Sequence, residues 1–224
     1  MKKEPIKLEA GHFGKLLPDL WQKWHEVTSA YSDKHGNDDV FWWYRERTWV
    51  GFLAAAVWRL GGVALEEYAC KKSGGKLGRG RVDLYFNLEK EGFIAEAKHV
   101  WMGKNQRKGS LAEFCKKGLN RSEKDVGRIP GDERQLAVLF ISPTVAADDS
   151  TKNDCLSALI ENLRRSRSEI NFDAMAWVFP DWARSTSWLS RTEIKGNYSP
   201  GGIILIREIK RPSRRKGAKP ETRP

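Results

Sequence analysis

Two acidic residues and one basic residue interrupt the two apolar segments of RVDLYFNLEKEGFIAEAKHVW, residues 81–101. Asp83 comes first, and after twelve intervening residues Glu96 and Lys98 follow, separated by Ala97. Carboxylates held close together repel each other, and a divalent cation between them relieves that repulsion. Mg²⁺ prefers oxygen ligands, and a lysine beside such an ion can orient a bound water or, as the neutral amine, deprotonate it. The residue types therefore predict a hard-cation site with Lys98 next to it.

The elements that must position these residues are two β-strands joined by a short polar turn. Side chains on a strand alternate between the two faces of a sheet. On the first strand, alternation predicts that Asp83 faces away from three apolar residues: Val82, Leu84 and Phe86. On the second strand, it predicts that Phe93, Ala95 and Ala97 share one face. Ile94, Glu96 and Lys98 share the opposite face. The short turn predicts a pairing in which Asp83 and Glu96 lie on the same side of the sheet.

A third acidic residue lies on the apolar face of a helix predicted from Phe41 to Leu60. The apolar stripe of this helix consists of Trp49, Val50, Leu53, Val57 and Leu60. Glu46 precedes the first three of these by three, four and seven residues, which places it on the same stripe. An acid that faces a core needs a partner, and a metal centre beside the sheet would provide one.

The order of these residues resembles the PD-(D/E)xK nuclease superfamily, which has the restriction-endonuclease-like fold. The family pattern is a helix with a glutamate, a strand with an aspartate and a next strand with (D/E)xK. Glu46, Asp83 and Glu96-Ala97-Lys98 follow it in order. Val82 stands where the family name has proline, a position that the family varies. The resemblance covers residues 41–142 and, by the order of elements, extends towards residue 179.

The resemblance implies metal-dependent hydrolysis of phosphodiester bonds, as by an Mg²⁺-dependent endodeoxyribonuclease. Asp83 and Glu96 would bind Mg²⁺, helped by the carbonyl of Ala97 and by Glu46, and Mn²⁺ is expected to substitute. Lys98 would position the attacking water and offset charge on the pentavalent phosphate. A non-cleaving nucleic-acid-binding subunit, or a protein-interaction subunit, on the same fold is the alternative.

The overall charge of the chain favours a polyanionic partner. The formal net charge is +11 and the isoelectric point is about 9.6, so we expect binding to nucleic acid. With the resemblance, DNA is the more expected partner, although the sequence does not fix DNA over RNA. The most apolar run, WVGFLAAAVW, is too short to span a bilayer. Three widely spaced cysteines without a CxxC pair, and an N-terminus without an apolar stretch, indicate a reducing, cytoplasmic location.

Two groups of basic residues are candidates for contact with phosphate. Lys76, Arg79 and Arg81 lie in or after the glycine-rich segment that leads to Asp83. Lys116, Lys117 and Arg121 belong to a helix predicted at residues 110–126. The alternative interpretations are a flexible turn for the first group and an ordinary solvated helix face for the second.

Two further residue types have a packing interpretation that we favour over a functional one. His99 follows Lys98 but faces the opposite side of the sheet, which favours packing or a hydrogen bond over catalysis. Trp182 and Trp188 could stack on bases, but tryptophan beside a sheet is more typical of a core or a lid.

The whole chain is predicted to be α/β, with a mixed central sheet flanked by helices. Residues 1–38 form an N-terminal helical extension, 39–210 the nuclease-like domain and 211–224 a basic, disordered tail. The small size of the domain fits a homodimer or a subunit of a larger defence or repair complex. Endonuclease and exonuclease action, and the sequence preference, stay open.

Overall fold

The computed structural model describes residues 17–71, 79–103, 111–146, 152–184 and 197–209. The helices are α1 (Leu17–Lys34), α2 (Glu46–Arg59), α3 (Leu111–Val126), α4 (Lys152–Arg165) and the short α5 (Arg167–Ile170). The strands are β1 (Val63–Lys71), β2 (Arg79–Leu88), β3 (Glu91–Met102), β4 (Arg134–Pro143), β5 (Val145–Ala146), β6 (Ala174–Val178), β7 (Asn197–Tyr198) and β8 (Gly202–Ile209). Within the described ranges, no helix is both long and apolar enough to cross a membrane.

Six strands form one mixed sheet in the order β1-β2-β3-β4-β8-β6. β3 and β4 are parallel, whereas the other neighbouring strands are antiparallel. A parallel pair needs a crossover connection, and α3 lies within it. β5 and β7, which were not predicted, form a separate antiparallel pair. The predicted α/β architecture, a mixed sheet flanked by helices, is confirmed at this level.

α1 and α2 cover one face of the sheet. Their apolar residues form one cluster with every second residue of β4, including Val138 and Phe140. Two tryptophans of this cluster, Trp24 of α1 and Trp49 of α2, stack with 6.4 Å between their ring centroids. α1 therefore contributes to the main core, although the sequence assigns it to an extension; the boundary at residue 38 stays a prediction. The predicted basic tail, residues 211–224, lies outside the described residues.

α3, α4 and α5 cover the opposite face of the sheet. Ala137 and Leu139 of β4 point to this side, as alternation requires. Arg207 of β8 is buried here and donates a hydrogen bond of 2.9 Å to Oδ1 of Asn120. The same guanidinium pairs with Glu123 and donates to the backbone carbonyls of residues 170 and 171. It therefore connects α3 and α5 to the sheet.

The strand with the aspartate departs from the predicted alternation. Val82 was expected on the same face as Leu84 and Phe86. It instead packs with Ile94 and Val126 on the α3 side, while Leu84 and Phe86 belong to the cluster under α1 and α2. The prediction of a shared face was therefore wrong for Val82.

The physical reason lies in the neighbouring strand, where the pleat is irregular. Glu67 of β1 has a φ of 53°, in the left-handed region that side chains rarely adopt. The pairing of Tyr68 with Val82 puts Glu67 level with Asp83. The regular pleat of both strands is interrupted at this level, and β2 changes face at Asp83.

Candidate active site

Asp83 lies where β2 and β3 stop pairing. Their antiparallel ladder runs from Leu88–Glu91 to Leu84–Ala95. One residue beyond, Oδ2 of Asp83 accepts a hydrogen bond of 2.7 Å from the backbone N–H of Ala97. The carboxylate thus takes the place of a backbone acceptor and is fixed between the two strands, at the end of the sheet where α2 begins.

Glu46 is the first residue of α2. The helix predicted from Phe41 to Leu60 is divided, because Phe41–Trp43 is a 3-10 turn and α2 begins only at Glu46. Oε2 of Glu46 accepts a hydrogen bond of 3.1 Å from the backbone N–H of His99 on β3. The helix start therefore directs this carboxylate at the strand that carries Lys98.

The electrostatics of Glu46 reflect its neighbours. Burial raises the pKa of Glu46, the positive charge of Lys98 opposes this shift, and the negative charge of Asp83 adds to it. A weaker contribution of the same sign comes from Asp125. The side chain is therefore half-buried among charged groups from β2, β3 and α3.

The side chain of Lys98 points to the face of the sheet that α3 covers, opposite to the side chain of His99. Its Nζ is 3.0 Å from Oδ2 of Asp125. Burial alone would lower the pKa of Lys98, but the hydrogen bond to Asp125 and the charges of Glu46, Asp125 and Asp83 raise it above its usual value. The ammonium therefore remains protonated at neutral pH.

Glu96 is placed differently from the other candidates. Its exposed fraction is 3%, and its backbone carbonyl accepts a hydrogen bond from Oγ of Ser122 on α3. The same Oγ accepts a hydrogen bond of 3.0 Å from the backbone N–H of Val138 on β4. Ser122 thus joins β3 to β4 next to the buried Glu96. The charges that surround Lys98 are those of Glu46, Asp83 and Asp125.

Asp125 was not among the residues selected from the sequence. A signal was nevertheless present, because Asp125 follows the buried Ser122 by three residues and precedes the buried Val126. On a helix, this spacing places its side chain at the edge of the buried face. Its partner could not be read from the sequence, since Lys98 is on another element.

His99 has the packing role that its position predicted. Its ring lies 5.7 Å from that of Trp49, between centroids, and its Nε2 is 2.9 Å from Oγ of Ser142. Since that Oγ donates its proton to the carbonyl of Trp42, we assign Nε2 as the donor to Ser142. Burial lowers the pKa of His99 to about 4, with a further contribution from Arg45, so the ring is neutral at pH 7.

The other aromatic candidates are accounted for in a similar way. Trp182 stacks on Trp42 with 6.0 Å between ring centroids, so it packs against the core as favoured. Trp188 lies outside the described residues.

The basic candidates lie at two places around Asp83 and Lys98. Arg81 is exposed and pairs with Glu67 at 3.2 Å, and Arg47 of α2 pairs with the same carboxylate at 3.3 Å. Arg79 begins β2, although its side chain is outside the described part, and Lys76 lies wholly outside it.

The other basic candidates belong to α3 and face solvent. Lys116, Lys117 and Arg121 are exposed. Arg121 precedes Asp125 by four residues, which puts it one helical turn away on the same side. Of these three cations, Arg121 is therefore the one nearest to the Lys98–Asp125 ion pair.

The carboxylates around Lys98 have the chemistry of a hard-cation site. Burial is the main cause of the raised pKa of Glu46, and the negative charge of Asp83 adds to it. The oxygens of both carboxylates are the ligand type that Mg²⁺ takes. The described residues contain no group of three or more His, Cys, Asp or Glu side chains already spaced to hold a metal ion. The donor atoms fit Mg²⁺ by type.

No protein-family model, curated protein or solved structure matches this chain. The residues themselves therefore carry the functional conclusion.

Proposed function

We propose that this chain is a metal-dependent nuclease of the restriction-endonuclease-like fold that hydrolyses phosphodiester bonds in DNA. The observation that carries the proposal is the surroundings of Lys98. The carboxylates of Glu46, Asp83 and Asp125 all act on its ammonium, and they come from α2, β2 and α3. Four charged side chains from four elements, gathered where two strands separate, are a combination typical of functional sites.

Asp83, Glu96, the carbonyl of Ala97 and Glu46 are the residues that would hold Mg²⁺ or Mn²⁺. The bound ion would supply Lewis-acid activation of a water and of the phosphate. Lys98, with its raised pKa, serves as a fixed positive charge and hydrogen-bond donor rather than as a base. Its role is therefore to orient the attacking water and to stabilise negative charge on the phosphate.

A non-cleaving nucleic-acid-binding protein is the second candidate, and one observation favours it. Asp83 is bonded to the backbone of Ala97, and Lys98 is paired with Asp125. These internal contacts satisfy both side chains without a metal. The basic character of the chain serves binding in either case.

The deciding experiment is a cleavage assay with the full-length purified chain. Linear duplex, supercoiled circular and single-stranded DNA are incubated with Mg²⁺, with Mn²⁺ and with EDTA. The wild type is compared with Lys98→Ala and Asp83→Asn, and Lys90→Ala, in the exposed turn between β2 and β3, is the control. Conversion of circular to linear DNA would identify an endonuclease.

We expect cleavage only with the metal. Removal of one group that stabilises transition-state charge typically lowers the rate by about 100- to 1,000-fold, and we expect losses of this size for both site variants but not for the control. Binding without cleavage under all conditions would establish the second candidate. Cleavage that persists in EDTA, or in Lys98→Ala, would refute the mechanism.

A further inference from the structure

One exposed tryptophan lies close to the candidate active site. The chain has ten tryptophans, and four of them are almost completely buried: Trp21, Trp24, Trp42 and Trp49. Trp101, by contrast, exposes 42% of its surface. Trp58 exposes 54%, but it lies twelve residues after Glu46 on α2, which corresponds to about 18 Å along the helix.

Trp101 lies on the strand that carries Lys98. It is three positions beyond Lys98 on β3, or about 10 Å along the strand. Its ring is edge-on to His99, with 5.3 Å between centroids. Residues two apart on a strand share a face, and the ring of His99 contacts Trp49 of α2, so the indole lies on the α2 side of the strand. The backbone N–H of His99 donates to Glu46, which connects this part of β3 to the candidate site.

Arginines lie on the elements next to this indole. Arg45 is the exposed residue directly before Glu46 at the start of α2, and Glu46 accepts a hydrogen bond from the backbone N–H of His99, whose ring Trp101 contacts. The positive charge of Arg45 acts on the same His99 ring. Arg47 and Arg81 pair with Glu67 in the middle of β1, level with Asp83 on β2. An exposed aromatic face next to arginines is the usual combination for binding single-stranded nucleic acid.

We propose that Trp101 and Arg45 form a binding site for an unpaired base and its phosphate, so that the substrate is engaged as single-stranded DNA. The indole would stack on the base, and the guanidinium would pair with the adjoining phosphate. Bases inside a duplex already stack on each other and cannot offer a face to the indole. The inference rests on the proposed function, and it adds that the DNA substrate is bound as a single strand.

The experiment measures binding in EDTA, where no metal-dependent cleavage can occur. Fluorescence anisotropy of end-labelled DNA gives the Kd of the full-length chain for a single strand, for a blunt duplex and for an all-abasic strand of equal length. The variants are Trp101→Ala and Trp101→Phe, and Trp58→Ala is the control with comparable exposure.

We expect Trp101→Ala to raise the Kd for the single strand about tenfold, the loss of one stacked base, and to leave the duplex Kd unchanged. Trp101→Phe should recover part of the loss, because a smaller aromatic ring still stacks. The abasic strand should bind the wild type about tenfold more weakly, with no further loss in Trp101→Ala. The wild-type part of this comparison uses unaltered protein and does not depend on how the variant folds.

An unchanged Kd for the single strand in Trp101→Ala would overturn the proposal. Equal losses for single strand and duplex, or an equal loss in Trp58→Ala, would do the same. The outcome is separate from that of the cleavage assay. Loss of base-dependent binding alongside intact cleavage refutes only the base site, and base-dependent binding without cleavage refutes only the nuclease.

Discussion

Lys98 of β3 and Asp125 of α3 form an ion pair with 3.0 Å between Nζ and Oδ2. The pair joins the strand that carries the candidate catalytic lysine to the helix that follows it. Arg128 lies 3.9 Å from the other oxygen of Asp125, so this carboxylate has cations on two sides. The helix thus sets the charge and the position of Lys98.

Asp125→Ala is expected to lower the pKa of Lys98. Burial opposes the charged ammonium, and the hydrogen bond to Asp125 is the largest contribution that counteracts it. The effect on stability should be small, about 0–1 kcal/mol, because the Lys98 and Asp125 side chains are 30% and 33% exposed.

Titration of the lysine ε-carbon signals by NMR measures this pKa. Glu113→Ala, on the exposed side of the same helix, is the matched control. A pKa of Lys98 that is equal in Asp125→Ala and in the wild type would show that the ion pair is not maintained in solution.

Glu46→Gln is expected to stabilise the fold at neutral pH. Burial raises the pKa of Glu46, so the folded state binds its proton more tightly than the unfolded state does. The stability contributed by the protonated form is fully present below the unfolded pKa and is lost as pH rises through the folded pKa. Glutamine has no charge to bury, so Glu46→Gln avoids this loss of stability at neutral pH. Its amide oxygen can still accept the hydrogen bond from the backbone N–H of His99.

Urea unfolding at several pH values tests this expectation. The free energy of unfolding of Glu46→Gln should exceed that of the wild type at pH 7, and the difference should disappear below about pH 4, under the usual glutamate pKa. Glu89→Gln, in the exposed turn between β2 and β3, is the control. A difference that is independent of pH would contradict the electrostatic explanation.

Arg207→Ala is expected to destabilise the fold by about 1–3 kcal/mol, the usual cost of leaving buried hydrogen-bond acceptors unpaired, because the charged partner Glu123 is 42% exposed. The guanidinium bonds to Asn120, Glu123 and two backbone carbonyls, and alanine leaves all of these acceptors without it. Arg207→Lys should recover little, because one ammonium cannot reach acceptors on both α3 and α5.

Chemical denaturation gives the free energy of unfolding for both variants, with the exposed Arg59→Ala at the end of α2 as the control. A loss below about 1 kcal/mol in Arg207→Ala, the range of ordinary surface substitutions, would show that Arg207 does not hold the two helices to the sheet.

Much of the local structure follows from the sequence because it depends on near neighbours. Strand alternation correctly separates Ala97 from Lys98, and the apolar stripe of the second helix correctly includes Trp49 and Val50. The same reasoning fails at Val82. The cause is a left-handed residue on the adjacent strand, which no pattern within β2 could reveal.

The sequence by itself therefore determined the α/β class, the order of the elements and the identities of Glu46, Asp83 and Lys98 as charged residues among apolar ones. Periodicity is a short-range property, set by the backbone geometry of each element. Only the tertiary structure decided that α1 belongs to the core, that Asp125 is the partner of Lys98 and that Trp101 lies exposed against the ring of His99. These contacts join residues on different elements, and they depend on strand order and on the crossover through α3, which determine the neighbours of each face.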